Sequence, residues 1–117
     1  MSSAYHIDLA VNAVPAQGGA NFSASTSKTL PSQAKEFILV VQPTGSNVKM
    51  KLEQSANGSD WVQVVDDQGA NIESTVTAGA TGIVYVDVPL LQYVRVQLGE
   101  ATTSATCNVK LQHTLIK

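Results

Sequence analysis

Cysteine is nearly absent from this chain of 117 residues, in which Cys107 stands alone. No disulfide can form within the chain, so its fold must rest on packing. Charge is scarce as well. Charged residues make up 14% of the chain and aromatic residues 5%, and seven Lys plus Arg against nine Asp plus Glu leave a formal net charge of -2. That balance gives no electrostatic footprint for nucleic acid or an anionic membrane, and neither partner is expected. Long apolar runs are missing too. The longest, residues 37–41, is far too short to cross a bilayer. The opening MSSAYHIDL lacks a basic or apolar stretch of the secretory kind, which leads to the expectation of a soluble product made in the cytoplasm.

What remains is a hydrophobic fraction of 44% drawn mainly from Val, Leu, Ile and Ala, a mixture that favours strands. The length suits one domain, residues 1–117, able to bury roughly two thirds of the surface its unfolded chain would expose. A surface poor in charge but rich in Ser, Thr, Gln and Asn fits a protein whose outside is partly covered by protein neighbours.

Period-2 alternation runs through the chain. Tyr5, Ile7, Leu9 and Val11 alternate with His6, Asp8, Ala10 and Asn12, marking a first strand that Pro15 ends. Residues 37–41 read as a strand buried on both faces and set centrally. Residues 48–65 form the clearest hairpin: Val48, Met50 and Leu52 alternate with Lys49, Lys51 and Glu53, Asn57-Gly58 supplies the φ > 0 pair of a tight turn, and Trp61 begins the return strand. Residues 72–77 form a β-branched strand. Val84, Val86 and Val88 face inward against Ile83, Tyr85 and Asp87 until Pro89. Val94, Val96 and Leu98, then Cys107, Val109 and Leu111, complete the inward sets of the last two strands. No sustained helical periodicity interrupts them.

Eight or nine short strands at this spacing predict an all-β, antiparallel β-sandwich of jelly-roll-like form, with the first and last strands paired in one sheet. Residues 12–33 are the least core-like part. They read as a long polar loop carrying at most one short edge strand, or as an arm that orders against a neighbouring subunit, with Phe22 and Leu30 as its large side chains.

No catalytic or metal constellation emerges. Cys107 and His113 share a strand face, but six residues at about 3.3 Å each separate them by roughly 20 Å, so they form no dyad. Cys107 reads as a small core residue. His6 and Asp8 could touch on the polar face of the first strand, yet no nucleophile turn or oxyanion hole accompanies them, and no enzyme is expected. Asp60, Asp66, Asp67 and Asp87 do not follow a calcium-loop spacing, and residues 66–69 are explained as a turn. Neither a metal nor a cofactor is expected. Asn21-Phe22-Ser23 and Asn57-Gly58-Ser59 fit the glycosylation pattern by accident. Trp61, Tyr85 and Tyr93 fit either of two roles, core or subunit contact or a platform for sugar stacking.

The stretch LEQSANGSDWVQVVDD, residues 52–67, followed by Tyr93-Val94-Arg95-Val96, resembles a pattern of small β-sandwich virion structural proteins of tailed bacteriophages. The likeness spans residues from about Phe37 onward, roughly two thirds of the chain. It implies a head decoration or cement protein on the outer head surface, bound to the major capsid protein and to copies of itself, with no catalytic residue. Phe22, Leu30, Tyr85 and Tyr93 are the expected partner contacts. The alternative is a carbohydrate-recognition module for host attachment that uses Trp61, Tyr85 and Tyr93.

Overall fold

The computed structural model describes residues 4–115. Ten strands follow one another: β1 (Ala4–Ala13), β2 (Phe22–Ala24), β3 (Lys28–Thr29), β4 (Ala34–Thr44), β5 (Val48–Ser55), β6 (Val62–Gln63), β7 (Glu73–Val76), β8 (Gly82–Val86), β9 (Tyr93–Gly99) and β10 (Thr106–Leu115). They form a four-stranded sheet in the order β1-β10-β4-β8 and a six-stranded sheet in which β9 and β5 are central. β2 and β3 share the outer edge of β9, while β6 and β7 share the outer edge of β5. Counting each such pair as one position gives eight positions, ordered 1-8-3-6 in one sheet and 2-7-4-5 in the other. That is the strand order of a jelly roll, an architecture that recurs in viral capsid and lectin domains. The sandwich expected from alternation is therefore present, and its first and last strands pair from Ala4↔Thr114 to Ala13↔Cys107.

The inner faces explain the order. Val48, Met50 and Leu52 of β5, Val94 and Val96 of β9, and Leu39, Val41, Val109 and Leu111 of the opposite sheet are all fully buried. They interdigitate between the two sheets as the sequence alternation dictates. Cys107 lies in the same layer, and burial pushes its thiol from 9.0 up to about 11. At one end of the sandwich His113, 3% exposed, packs between Tyr5 and Phe37.

Five expectations need correction. In β1 the register shifts between Asp8 and Ala10, so Leu9 and Ala10 are both buried and Val11 turns outward, 65% exposed. A bulge of this kind breaks simple alternation because the extra residue inverts every side chain after it. In β4 the run of residues 37–41 is central in its sheet but covered on one face only. Phe37, Leu39 and Val41 are buried while Ile38 and Val40 are half-buried on the outside.

The hairpin of residues 48–65 is brief, since β6 pairs with β5 only through Glu53↔Gln63 and Gln54↔Val62. The dominant partner of β5 is β9, across seven positions. Nor is Asn57-Gly58 a pair at positive φ. Gly58 alone adopts it, at 80°, while Asn57 uses its Oδ1 to accept from the Ser59 and Asp60 amides. Finally, residues 12–33 contain two short strands rather than one, both laid on β9 of the chain's own six-stranded sheet. The crossing is possible because position 99 is glycine: a methyl there would collide with the Asn21 carbonyl and the Phe22 ring.

Candidate functional site

With the inner faces sealed, the chemistry available to a partner lies on the two outer faces, and they differ. On the six-stranded sheet, alternation turns Lys49, Lys51 and Glu53 of β5 and Tyr93, Arg95 and Gln97 of β9 outward, and the β5–β9 register sets them side by side. Glu53 Oε1 accepts from Arg95 Nε at 2.7 Å and from Gln97 Nε2 at 3.1 Å. The Arg95 guanidinium lies 4.3 Å from the centre of the Trp61 ring, and Lys51 Nζ lies 4.0 Å from the centre of the Phe22 ring. Lys49 Nζ stands between Glu73 at 3.6 Å and Glu100 at 3.7 Å. Almost every charge on this face is answered within the chain.

On the four-stranded sheet the outward rows are graded. One row reads Asp8, Lys110, Val40, Ile83 across β1, β10, β4 and β8, and the next reads His6, Gln112, Ile38, Tyr85. Polar side chains fill the β1–β10 half and apolar ones the β4–β8 half. Ile83 is 49% exposed and Tyr85 73% exposed, beside half-buried Ile38 and Val40. The apolar half ends at β8, the open edge of the sheet. Contiguous exposed apolar surface of this kind marks an interaction site more reliably than scattered apolar residues do.

The residues singled out from the sequence fall in different places. Tyr85 belongs to the apolar half-face just described. Phe22 and Tyr93 lie half-buried on the opposite sheet, Phe22 under Lys51 and Tyr93 against Gly58. Leu30 is 6% exposed and packs in the core, because β3 carries the chain down over the sandwich end. It is not placed to meet a partner. There it joins Pro31, Phe37 and Leu90 around a hollow of about 450 Å³ whose lining holds no titratable side chain.

Of the three aromatic residues considered for sugar, Trp61 and Tyr93 share a sheet face and Tyr85 is on the other sheet, so no three-ring platform is assembled. Trp61 is not part of the core; it covers Arg95 from outside. Asp66 is occupied by its turn, its Oδ1 accepting from the Gln68 and Ala70 amides at 2.9 Å each. Ile83 faces outward as the β8 alternation predicts, but Ile38 and Val40 were not anticipated as a surface. The signal was present in the unbroken apolar run of β4, which reads equally well as a doubly buried strand.

No family model matches the chain, and no curated protein matches it. Solved structures do. The PBSX exported protein XepA superposes with a TM-score of 0.67 at 11% identity, over 97% of this chain and 38% of XepA. PirA superposes with a TM-score of 0.54 at 10% identity, over 94% of this chain and 92% of PirA. A chain of infectious bursal disease virus, Gx strain, gives a TM-score of 0.50 at 14% identity, over 98% of this chain and 33% of the viral one. This chain thus spans under two fifths of XepA and a third of the viral protein. At such identities the likeness is one of fold.

Proposed function

We propose that the chain is a non-enzymatic virion structural protein of a tailed bacteriophage, a decoration or cement protein that binds the outside of the head and stabilises it across subunit boundaries. The single observation that carries this reading is the apolar half-face of Ile38, Val40, Ile83 and Tyr85, exposed on a rigid sandwich whose opposite face is satisfied by its own ion pairs. Such a surface docks on protein: apolar from β4 to the β8 edge and bordered on its inner side by Lys110, Gln112 and Asp8. A jelly roll supports many functions, so the fold alone decides nothing. The neighbours named above, one a PBSX exported protein and one from a virus, agree with a virion-related role.

On this reading the partners are the major capsid protein and further copies of the chain. The protein works by adding buried area across capsomer junctions and not by chemistry. Undecorated heads incubated with the purified protein should take it up to a fixed stoichiometry and resist heat better than bare heads. Uptake without saturation, or none, contradicts the proposal.

A further inference from the structure

The four-stranded sheet has two edges, and they are built differently. β1 is blunted by register shifts at Asp8/Ala10 and Ala10/Ala13, by Asn12 at a φ of 48°, and by the Asn12 amide donating to Asn108 Oδ1 at 2.7 Å. These are devices by which sheet edges refuse a further strand. β8 has none of them. Its five residues, Gly-Ile-Val-Tyr-Val, pair with β4 without a register shift, from Phe37↔Val86 to Val41↔Gly82. No charge or proline lies within it; Asp87 and Pro89 come only after its end. Alternate residues of β8 therefore direct unpaired N–H and C=O groups away from the sheet.

We propose that this edge takes a second copy of the same chain: two β8 strands pair antiparallel about a two-fold axis at Val84, joining the two four-stranded sheets into one continuous sheet. Strand β8 is self-complementary in that register. Ile83 stands opposite Tyr85 of the second copy on the outer face, an aromatic and β-branched pair of the kind that stabilises antiparallel ladders. Val84 meets its own copy on the inner face, and Val86 falls opposite Gly82, over which Val76 of the same chain packs. A shift of one residue is excluded, because it would turn one sheet inside out relative to the other. A shift of the axis to Tyr85 sets Asp87 opposite Ile83, and a shift to Ile83 leaves Tyr85 opposite Thr81.

Charge agrees with the Val84 axis. The two Asp87 carboxylates end up about 20 Å apart along the strands, each facing a Thr81 hydroxyl. The pairing also accounts for the polarity gradient. The apolar half-faces of the two copies abut at the axis, so Ile38, Val40, Ile83 and Tyr85 from both chains form one central patch with polar β10 and β1 rows on either side. A five-residue ladder buries less than the roughly 1,000 Å² of a permanent interface, so the pairing is weak and fills at high local concentration. This inference rests on the edge alone and stands whether or not the particle is the partner.

Sedimentation of the free protein up to millimolar concentration, together with cysteine cross-linking, tests it. The wild type should pass from the mass of one chain to that of two as concentration rises, and Tyr85→Lys, a change at an exposed side chain, should stay at one while keeping its circular dichroism. In the Cys107→Ala background, Val84→Cys should oxidise to a covalent dimer, and Ile83→Cys mixed with Tyr85→Cys should cross-link faster than either alone. A wild type that stays monomeric throughout overturns the proposal, as does cross-linking indifferent to register or a dimer that survives Tyr85→Lys. Protection of β8 amides from hydrogen exchange only when heads are added, with a monomer in solution, also overturns it and assigns the edge to a strand of the particle.

Discussion

The two outer faces of this sandwich cover the same core and are finished in opposite ways. On the six-stranded sheet, Glu53 Oε1 accepts from both Arg95 and Gln97, and the Arg95 guanidinium lies over Trp61, so the charges at the centre of this face meet partners of the same chain. On the four-stranded sheet the row from His6 to Tyr85 runs from polar to apolar and stops at an unpaired edge. A face that satisfies itself gains nothing from a partner and loses hydration on binding one. A face with exposed Ile83 and Tyr85 gains from being covered, at roughly 25 cal/mol per Å² of apolar surface. On the proposed function, that difference assigns the contact by energy and not by chemistry.

The sharpest way to break the comparison uses two neighbouring residues of β4. Leu39→Ala, at a fully buried position, should cost about 2–5 kcal/mol of stability in chemical denaturation. Ile38→Ala, one residue along on the outer face, should cost less than about 1.5 kcal/mol while weakening uptake on heads. Equal losses would mean that the outer face is as well packed as the inner.

Core burial shared by both faces has a separate signature at high pH. Burial raises the Cys107 thiol from 9.0 to about 11, so the folded state holds its proton where the unfolded state has lost it. The stability this group contributes is complete below pH 9.0 and is lost as pH climbs toward about 11. Denaturation curves of wild type and Cys107→Ala should therefore converge over that window, and a thiol reagent should label Cys107 only after unfolding.

On the self-satisfied face, Arg95→Ala removes a bond to a partly buried carboxylate and uncovers Trp61. It should cost roughly 1–2 kcal/mol, an effect that salt reduces only in part. Uptake on heads should not change. The smallest effect on stability is expected from Ile83→Thr and Tyr85→Thr, within about 0.5 kcal/mol of wild type, because Ile83 is half exposed and Tyr85 mostly so. The same two changes should have the greatest effect on partner binding, and that inversion of rank separates the two faces.

Most of the inner layer was legible in the sequence because strand alternation is local. Val48, Met50 and Leu52, the valines of β8 and β9, and Cys107, Val109 and Leu111 all point inward as their period requires. Two kinds of feature were not legible. Bulges are the first: nothing in the residues around Leu9 and Ala10 signals that both will be buried, since the shift is imposed by pairing with β10, which lies a hundred residues away in sequence.

Nonlocal pairing is the second. β5 finds its main neighbour in β9 and not in the hairpin that follows it, and only this register brings Glu53 to Arg95 and Arg95 under Trp61. The apolar half-face was hidden for a related reason. An unbroken run such as Phe-Ile-Leu-Val-Val has the same pattern whether its second face is covered by the chain itself or left for something else.

The most direct test of the central claim reads both faces in one sample. Hydroxyl-radical footprinting of the protein free and bound to heads reports on Tyr85 from one face and on Trp61 and Tyr93 from the other. Strong protection of Tyr85 on the particle, with Trp61 and Tyr93 oxidised as in the free protein, is the result this account requires. Protection of Trp61 and Tyr93 with Tyr85 unchanged would contradict it and place the contact on the six-stranded face.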